Sequence, residues 1–421
     1  MKFSQLYSKT LKDAKDSDVS LNAQLLIRAG YVHKLMAGVY SYLPLGLRVL
    51  TKIENIVREE MNALGATEML MPAIQPRDIW DKTGRWDAVD VLFKLKGAGD
   101  RDLALGATHE EVVTPVVTSF VQSYRDLPTA TYQVQTKFRN EARAKSGLLR
   151  GREFRMKDMY SFHIDQSDLD AFYDRSIEAY KNFYRRCGLG DLTLVTFASG
   201  GVFSKYSHEF QAITEYGEDL VYKVPNTDIA INEEVIDDEE ALKEIVPNYT
   251  SGMQYEFEKV KSIEVGNIFK LGTKYSDAFD ASFSGSDGKP HSILMGCYGI
   301  GMSRVMGAVA ECLCDDKGLV WPEETTPYKV HLITLARDEA ERKDADDLYQ
   351  ELTAAGIEVF YDDRLDIRAG QKFGDADLMG MPIRLVMSHK TLKENSVEWK
   401  NRTSEDAHLV PLSDLKAKLL G

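Results

Sequence analysis

Between residues 44 and 64, Leu47, Leu50, Ile53, Ile56, Val57, Met61 and Leu64 recur at the three- and four-residue spacing that lines one face of a helix. Pro44 suits the first turn of that helix and Gly65 its stop. A strand-like run follows, Thr67-Glu68-Met69-Leu70-Met71, closed by Pro72. Further strands are predicted at 131–139, 153–162 and 290–298. Their wide separation points to an antiparallel sheet assembled from distant hairpins with helices inserted between them.

After Trp321-Pro322 the pattern changes. A buried strand at 328–335, a helix at 338–355 stopped by Gly356 and a second strand at 357–361 come first. A helix near 371–379, strands at 383–387 and 397–400 and a helix near 412–420 complete the series. This alternation predicts a smaller α/β domain after an α+β one, with the boundary at 322–327. The working division is 1–325 and 326–421. No internal repeat or low-complexity tract interrupts either part.

Composition narrows the class. Hydrophobic residues at 43% and charged residues at 28% are those of an ordinary globular chain, and no apolar run reaches the ~18 residues of a membrane helix. Met1-Lys2-Phe3-Ser4-Gln5-Leu6-Tyr7 lacks the apolar core of a secretory signal, so a cytoplasmic location and no membrane partner are expected. Cys187, Cys297, Cys312 and Cys314 form no CxxC pair, which favours reduced thiols over a structural metal, with Cys312 and Cys314 as core filling. The net charge of −14 argues in bulk against nucleic acid, but one basic face can be averaged away.

Local motifs change that picture. Lys137-Phe138-Arg139-Asn140-Glu141 is followed eleven residues after Arg139 by Arg150, then by Phe154. Two antiparallel strands joined by a loop would put both guanidinium groups on one surface, suited to bidentate phosphate contacts. Gly296-Cys297-Tyr298-Gly299-Ile300-Gly301-Met302-Ser303-Arg304 carries Arg where a dinucleotide fingerprint needs its third Gly. Its glycines allow close backbone approach, and a helix from Met302 can aim Arg304 at a nucleotide.

These stretches resemble motifs 2 and 3 of class II aminoacyl-tRNA synthetases, and Arg150 to Phe162 reads like the version found in prolyl-tRNA synthetases. The helix at 44–64 ending in Pro72 is similar to motif 1, which implies a homodimer interface. Leu105-Gly106-Ala107-Thr108-His109-Glu110-Glu111 resembles the family's Pro-Thr-x-Glu loop, with Gly106-Ala107 where Arg-Pro or Ser-Pro is usual. Glu264-Val265-Gly266-Asn267-Ile268-Phe269 is similar to Glu-Val-Gly-His-Ile-Phe, with Asn267 in place of His. Tyr206-Ser207-His208-Glu209-Phe210 also resembles a family segment, with no catalytic role expected for His208.

The resemblance implies a class II antiparallel sheet flanked by helices, then an α/β anticodon-binding domain. It implies ATP-dependent activation of L-proline to prolyl-adenylate and transfer to the 3′ end of tRNA(Pro). Arg139 would bridge the proline carboxylate and the α-phosphate, and Arg304 would clamp ATP from the opposite face. Arg150 would hold the γ-phosphate, Glu141 the adenine amino group, and Phe154 would stack on the ring. Thr108 and Glu110 would meet proline's secondary ammonium, and Phe269 would line its pocket. Glu264 and Asn267 would face ATP, with Mg²⁺ on Glu264. Arg143 would read the tRNA acceptor stem, and Asp377, Arg384 and Lys390 the anticodon, whose guanines suit Arg384 and Asp377.

Two rival functions remain at this level. One is another synthetase of the subclass, such as the threonyl type, though no Cys/His/His zinc set is evident. The other is a non-catalytic tRNA-binding paralogue, against which Arg139, Glu141, Arg150 and Arg304 all stand intact. Only about 222–260 separates the motifs where many bacterial relatives carry a hydrolytic editing domain, and its acidic run Glu233–Glu244 is expected as surface helix and loop.

Overall fold

The computed structural model describes residues 1–14, 20–142, 144, 146–225, 227, 229–246, 249–251 and 256–421. The chain resolves into two compact units. One comprises residues 37–39 and 53–308, the other residues 1–36, 40–52 and 309–421.

The first unit is organised on a nine-stranded sheet. In chain order its strands are β1 (Thr67–Glu68), β2 (Thr129–Phe138), β3 (Glu153–His163), β4 (Thr193–Ser199), β5 (Tyr206–Ile213), β6 (Asp219–Lys223), β7 (Ile229–Asn232), β8 (Glu258–Gly272) and β9 (Leu294–Ile300). Their spatial order is β5-β4-β7-β6-β8-β9-β3-β2-β1, with β5 also pairing β8. Seven of its partnerships, β2–β3, β3–β9, β9–β8, β8–β5, β5–β4, β6–β8 and β6–β7, are antiparallel, the arrangement expected of distant hairpins.

The long strands alternate as a two-faced sheet must. On β3, Tyr160 and Phe162 join Met71, Val113, Tyr275, Ile293 and Met295 in one core, while Lys157 turns to the helix Gln166–Arg186 and meets Tyr180 there. That helix begins on Asp165, whose side chain accepts from the Asp168 amide, and it buries Leu169, Phe172, Tyr173, Tyr180, Phe183 and Tyr184.

Three segments depart from their sequence reading. The run 67–71 is a strand only at Thr67 and Glu68; the Met69 amide still donates to the Tyr132 carbonyl of β2, but the Met71 amide donates to the Gln133 side chain instead of a backbone carbonyl. The expected strand 290–298 is two: Pro290–Ser292 pairs with Ser282–Ser284 in a separate ribbon, and β9 begins at Leu294. Within 222–260, β7 is an unforeseen buried strand of the main sheet, whereas the acidic run holds the expected surface helix, Glu239–Ile245, seated on Ala241 and Leu242.

The second unit carries a five-stranded sheet: β10 (Val330–Leu335), β11 (Val359–Asp362), β12 (Ile383–Ser388), β13 (Ser396–Asn401) and β14 (His408–Pro411), ordered β11-β10-β12-β13-β14. Both partners of β10 are parallel to it, which the intervening helices Glu339–Ala354 and Ala369–Met379 make possible. Its core joins Val330, Leu332, Leu348, Leu352, Val359, Leu385, Val397, Trp399 and Leu415. The motif 1 helix runs Pro44–Ala63.

Candidate active site

β2 and β3 form the predicted hairpin, with Phe138 opposite Glu153 and Lys137 opposite Phe154. Beyond the ladder, the Arg139 amide donates to the Arg152 carbonyl at 2.8 Å, so Arg139 leaves the sheet at the mouth of the loop. Its guanidinium lies over the Phe154 ring, 5.3 Å from the centroid. Burial, then the nearby Arg304 charge, push the Arg139 pKa below its ordinary value, against the pull of Glu264, Glu141 and Glu110.

β9 hands over at Gly301 to the helix Met302–Cys312, whose first turn presents Arg304. Arg304 Nη1 donates to the Glu264 side chain at 2.7 Å and to its carbonyl at 2.8 Å, and Nε donates to the Leu149 carbonyl at 2.7 Å. Burial opposes the charge, but Glu264, Asp219 and Glu141 outweigh it and hold the guanidinium above its ordinary pKa. A Cβ on Gly299 would sit 3.3 Å from the Met156 methyl, so the missing side chain keeps the cavity floor low.

Two neighbouring cavities meet on these residues. One, of about 140 Å³, is lined by Thr108, Glu110, Arg139, Phe154, Glu264, Asn267, Phe269 and Arg304, together with Met156, Phe203 and Cys297. The other, of about 240 Å³, is lined by Glu141, Arg150, Glu218 and Asp219 and shares Arg139, Glu264 and Arg304 with the first. The three shared side chains thus stand between a half-apolar pocket and a charged one. Arg150 is half exposed and ion-pairs with Glu141 at 3.0 Å.

The Thr108–Glu110 turn is wired into the buried interior. Thr108 Oγ1 donates to Glu110 Oε2 at 2.5 Å, and the Cys297 thiol donates to Oε1 at 3.1 Å. His109 between them is buried; burial and then Lys137 lower its pKa to about 4, so the ring is neutral. Its Nε2–H then donates to the Pro72 carbonyl at 3.0 Å, and Nδ1 accepts from Lys137 Nζ at 2.7 Å. Lys137 in turn pairs with Asp158 at 2.8 Å. The ring lies where a side chain on Gly106 would go: a Cβ there would be 2.7 Å from His109 Cε1. Gly106 is therefore required by its neighbour.

Asn267 donates through Nδ2 to Glu209 Oε1 at 3.3 Å, and Glu209 also accepts from Gln211 and Asn232. Burial, then the Glu264 charge, push the Glu209 pKa up to about 8, and Asp219 is raised chiefly by burial as well. His208, 2.9 Å from the Tyr173 hydroxyl and held neutral by burial, belongs to the aromatic packing, not the cavity.

Sequence reasoning missed Arg85, Phe203, Cys297 and Glu209. Phe203 packs on Phe269 with centroids 4.7 Å apart, and Arg85 is buried beside Glu110. Arg143 lies outside the described residues.

In the second unit, Arg384 near the start of β12 lies over the Phe373 ring at 4.6 Å and faces Asp377 at 3.5 Å. Lys390 is exposed in the short helix His389–Lys393 beyond the other end of β12, about 13 Å of strand away. The structure brings Arg384 and Asp377 together and leaves Lys390 apart from them.

Comparison with known proteins places this geometry in a family. Residues 93–312 match the model of the class II tRNA synthetase core domain for G, H, P, S and T, and residues 329–421 match an anticodon-binding domain. The proline–tRNA ligase of Zymomonas mobilis is 40% identical, covering 98% of this chain and 97% of its own. That of Rhizorhabdus wittichii is 39% identical, covering 100% of both. That of Moorella thermoacetica is 33% identical over 563 aligned positions, more than the 421 residues of this chain, so it carries insertions absent here. The fold is similar to the crystal structure of prolyl-tRNA synthetase from Cryptosporidium parvum complexed with L-proline and AMP, with TM-score 0.75 and 17% identity over 95% of this chain and 74% of that one. The chain belongs to the prolyl-tRNA synthetases, within the class II aminoacyl-tRNA synthetases.

Proposed function

We propose that the chain activates L-proline with ATP and transfers the prolyl group to the 3′ end of tRNA(Pro). The observation that carries this reading is the shared wall of Arg139, Glu264 and Arg304 between a pocket containing Thr108, Glu110 and Phe269 and a charged one containing Glu141 and Arg150. Proline in the first pocket would place its secondary ammonium against Glu110 and Thr108 and its ring against Phe269. Its carboxylate would then lie at Arg139, facing the α-phosphate of ATP.

The carboxylate oxygen attacks the α-phosphorus and pyrophosphate leaves; a terminal ribose hydroxyl of the tRNA then attacks the prolyl carbonyl and AMP leaves. No side-chain nucleophile is needed. Catalysis is positioning and charge neutralisation, with Arg139 and Arg304 on opposite sides of the reacting phosphate, Arg150 toward the γ-phosphate, Phe154 under the adenine and Glu141 at its amino group.

The carboxylates fit a divalent cation. Glu209 and Asp219 are both driven toward the neutral form by burial and by Glu264, a strain that added positive charge relieves. Among the described residues no group of three or more His, Cys, Asp or Glu could hold a metal alone. Mg²⁺ would be held largely through the nucleotide, with Glu264 as its protein ligand and Asn267 beside it, and would supply charge neutralisation.

Residues 1–325 would perform this chemistry and 326–421 would read the anticodon through Asp377, Arg384 and Lys390, while Arg143 would meet the acceptor stem. A homodimer through motif 1 is supported by Leu70 and Ile74, which follow its helix and are 75% and 58% exposed. Sedimentation at micromolar concentration distinguishes dimer from monomer. Among the described residues no helix is long and apolar enough to cross a membrane, and we place the enzyme in the cytoplasm. Amino-acid-dependent ATP–pyrophosphate exchange tests the proposed activity.

A further inference from the structure

We propose that Arg85 is the positioning residue that fixes the charge and orientation of Glu110, and thereby sets affinity for proline's ammonium group. The inference rests on the assignment of Glu110 as the ammonium-binding carboxylate. Arg85 is 3% exposed and lies deep beside the pocket. Its Nη1 is 2.8 Å from Glu111 Oε1 and 3.4 Å from Glu110 Oε2. Both carboxylates are fully buried, and among the described residues this guanidinium is the cation within ion-pair distance of both.

The guanidinium is itself caged. Its central carbon lies 5.4 Å from the Trp80 ring, 4.8 Å from Phe203 and 5.5 Å from Tyr275. Phe203 lines the cavity and packs on Phe269, so the residue that holds Glu110 also backs the apolar wall. Glu111 points away from the cavity and accepts from Thr83 at 2.8 Å, which ties Arg85 to the end of the helix Arg77–Lys82. Glu110 is left with Thr108 on one oxygen and Cys297 on the other, its charge turned toward the pocket.

Without Arg85 the adjacent carboxylates would keep only the more distant charges of Lys137, Arg139 and Lys274, and burial, which already raises the Glu111 pKa, would favour one proton shared by the pair. The loss then falls on amino-acid binding and leaves the nucleotide side alone.

The test is ATP–pyrophosphate exchange by the full chain with Arg85→Met, Arg85→Lys, Glu110→Gln and the double variant Arg85→Met/Glu110→Gln. Arg85→Met should raise KM for proline by about tenfold or more, the size of one lost charged contact, with KM for ATP unchanged. The acid limb of kcat/KM for proline should move to higher pH, and Arg85→Lys should recover part of the loss. Adding Arg85→Met to Glu110→Gln should cost little more, because the arginine acts through that carboxylate. Losses that strike proline and ATP alike and add in the double variant would overturn the proposal, as would a normal proline KM in Arg85→Met beside a damaged Glu110→Gln. Should Arg85→Met fail to melt cooperatively, Arg85→Lys decides: a raised proline KM with normal ATP KM supports the role, and normal values for both contradict it. An unaltered proline KM in Glu110→Gln would instead refute the assignment of Glu110.

Discussion

Arg304 grips Glu264 twice, at the carboxylate and at the backbone carbonyl, 2.7 and 2.8 Å away. The pairing fixes the one guanidinium that both cavities share with Arg139, and it does so without satisfying Arg139 itself, whose charge burial and Arg304 both disfavour. A site with two half-buried cations in one cavity wall is prepared for an anion.

Arg139→Ala and Arg304→Ala should therefore each slow adenylate formation by several orders of magnitude while preserving the fold, a loss of ~3 kcal/mol or more apiece. Single-turnover adenylate formation, with circular dichroism as the folding control, measures this. Near-normal rates in either variant would remove that residue from the mechanism.

Arg384 should separate the two halves of the reaction. Its predicted guanine contact is worth ~1–3 kcal/mol, so Arg384→Ala should impair aminoacylation of the tRNA and spare tRNA-independent exchange. Equal damage to both steps would mean that its stack on Phe373 is merely structural.

Lys157 predicts a pH dependence of stability. Burial lowers its pKa to about 7 in the folded chain, below the ~10.4 of an unfolded lysine. Between those values the unfolded chain holds more protons at this site, so its contribution to stability grows as pH rises and is lost as pH falls to about 7. Urea unfolding at pH 7 and pH 9 should show a smaller gain with pH in Lys157→Met than in the parent. Identical gains would show that the amine is not held neutral.

Alanine is smaller than proline, and a pocket sized for the ring excludes it only by lost contacts, typically ~10–200-fold. The described residues of segment 222–260 supply the sheet strand β7 and a short helix, and the segment is short for a second catalytic domain. Purified enzyme should thus mischarge tRNA(Pro) with alanine and fail to deacylate preformed alanyl-tRNA(Pro). Hydrolysis of that species above the spontaneous rate would reveal an editing site.

Much of this is legible in the sequence. The β2–β3 hairpin and the Gly299–Arg304 turn announce themselves because long alternating strands flank short motifs of fixed spacing. Arg85 did not: it reaches Glu110 from 25 positions away and has no local signature. Glu209 was hidden because its meaning lies in Asn267 and Glu264, on a strand that pairs with its own only after folding. The break at residues 290–298 was masked by continuous strand-forming residues, although Pro290, which cannot donate to a ladder, marked the outer ribbon. β14, a four-residue edge strand, is too short to show alternation.

The most direct measurement is ATP–pyrophosphate exchange with each of the twenty amino acids, compared by kcat/KM. Proline should give the highest value, with alanine a weak second class of substrate, and Glu110→Gln should depress the proline value most. Preference for threonine or serine, or no exchange with any amino acid, would contradict the proposed activity.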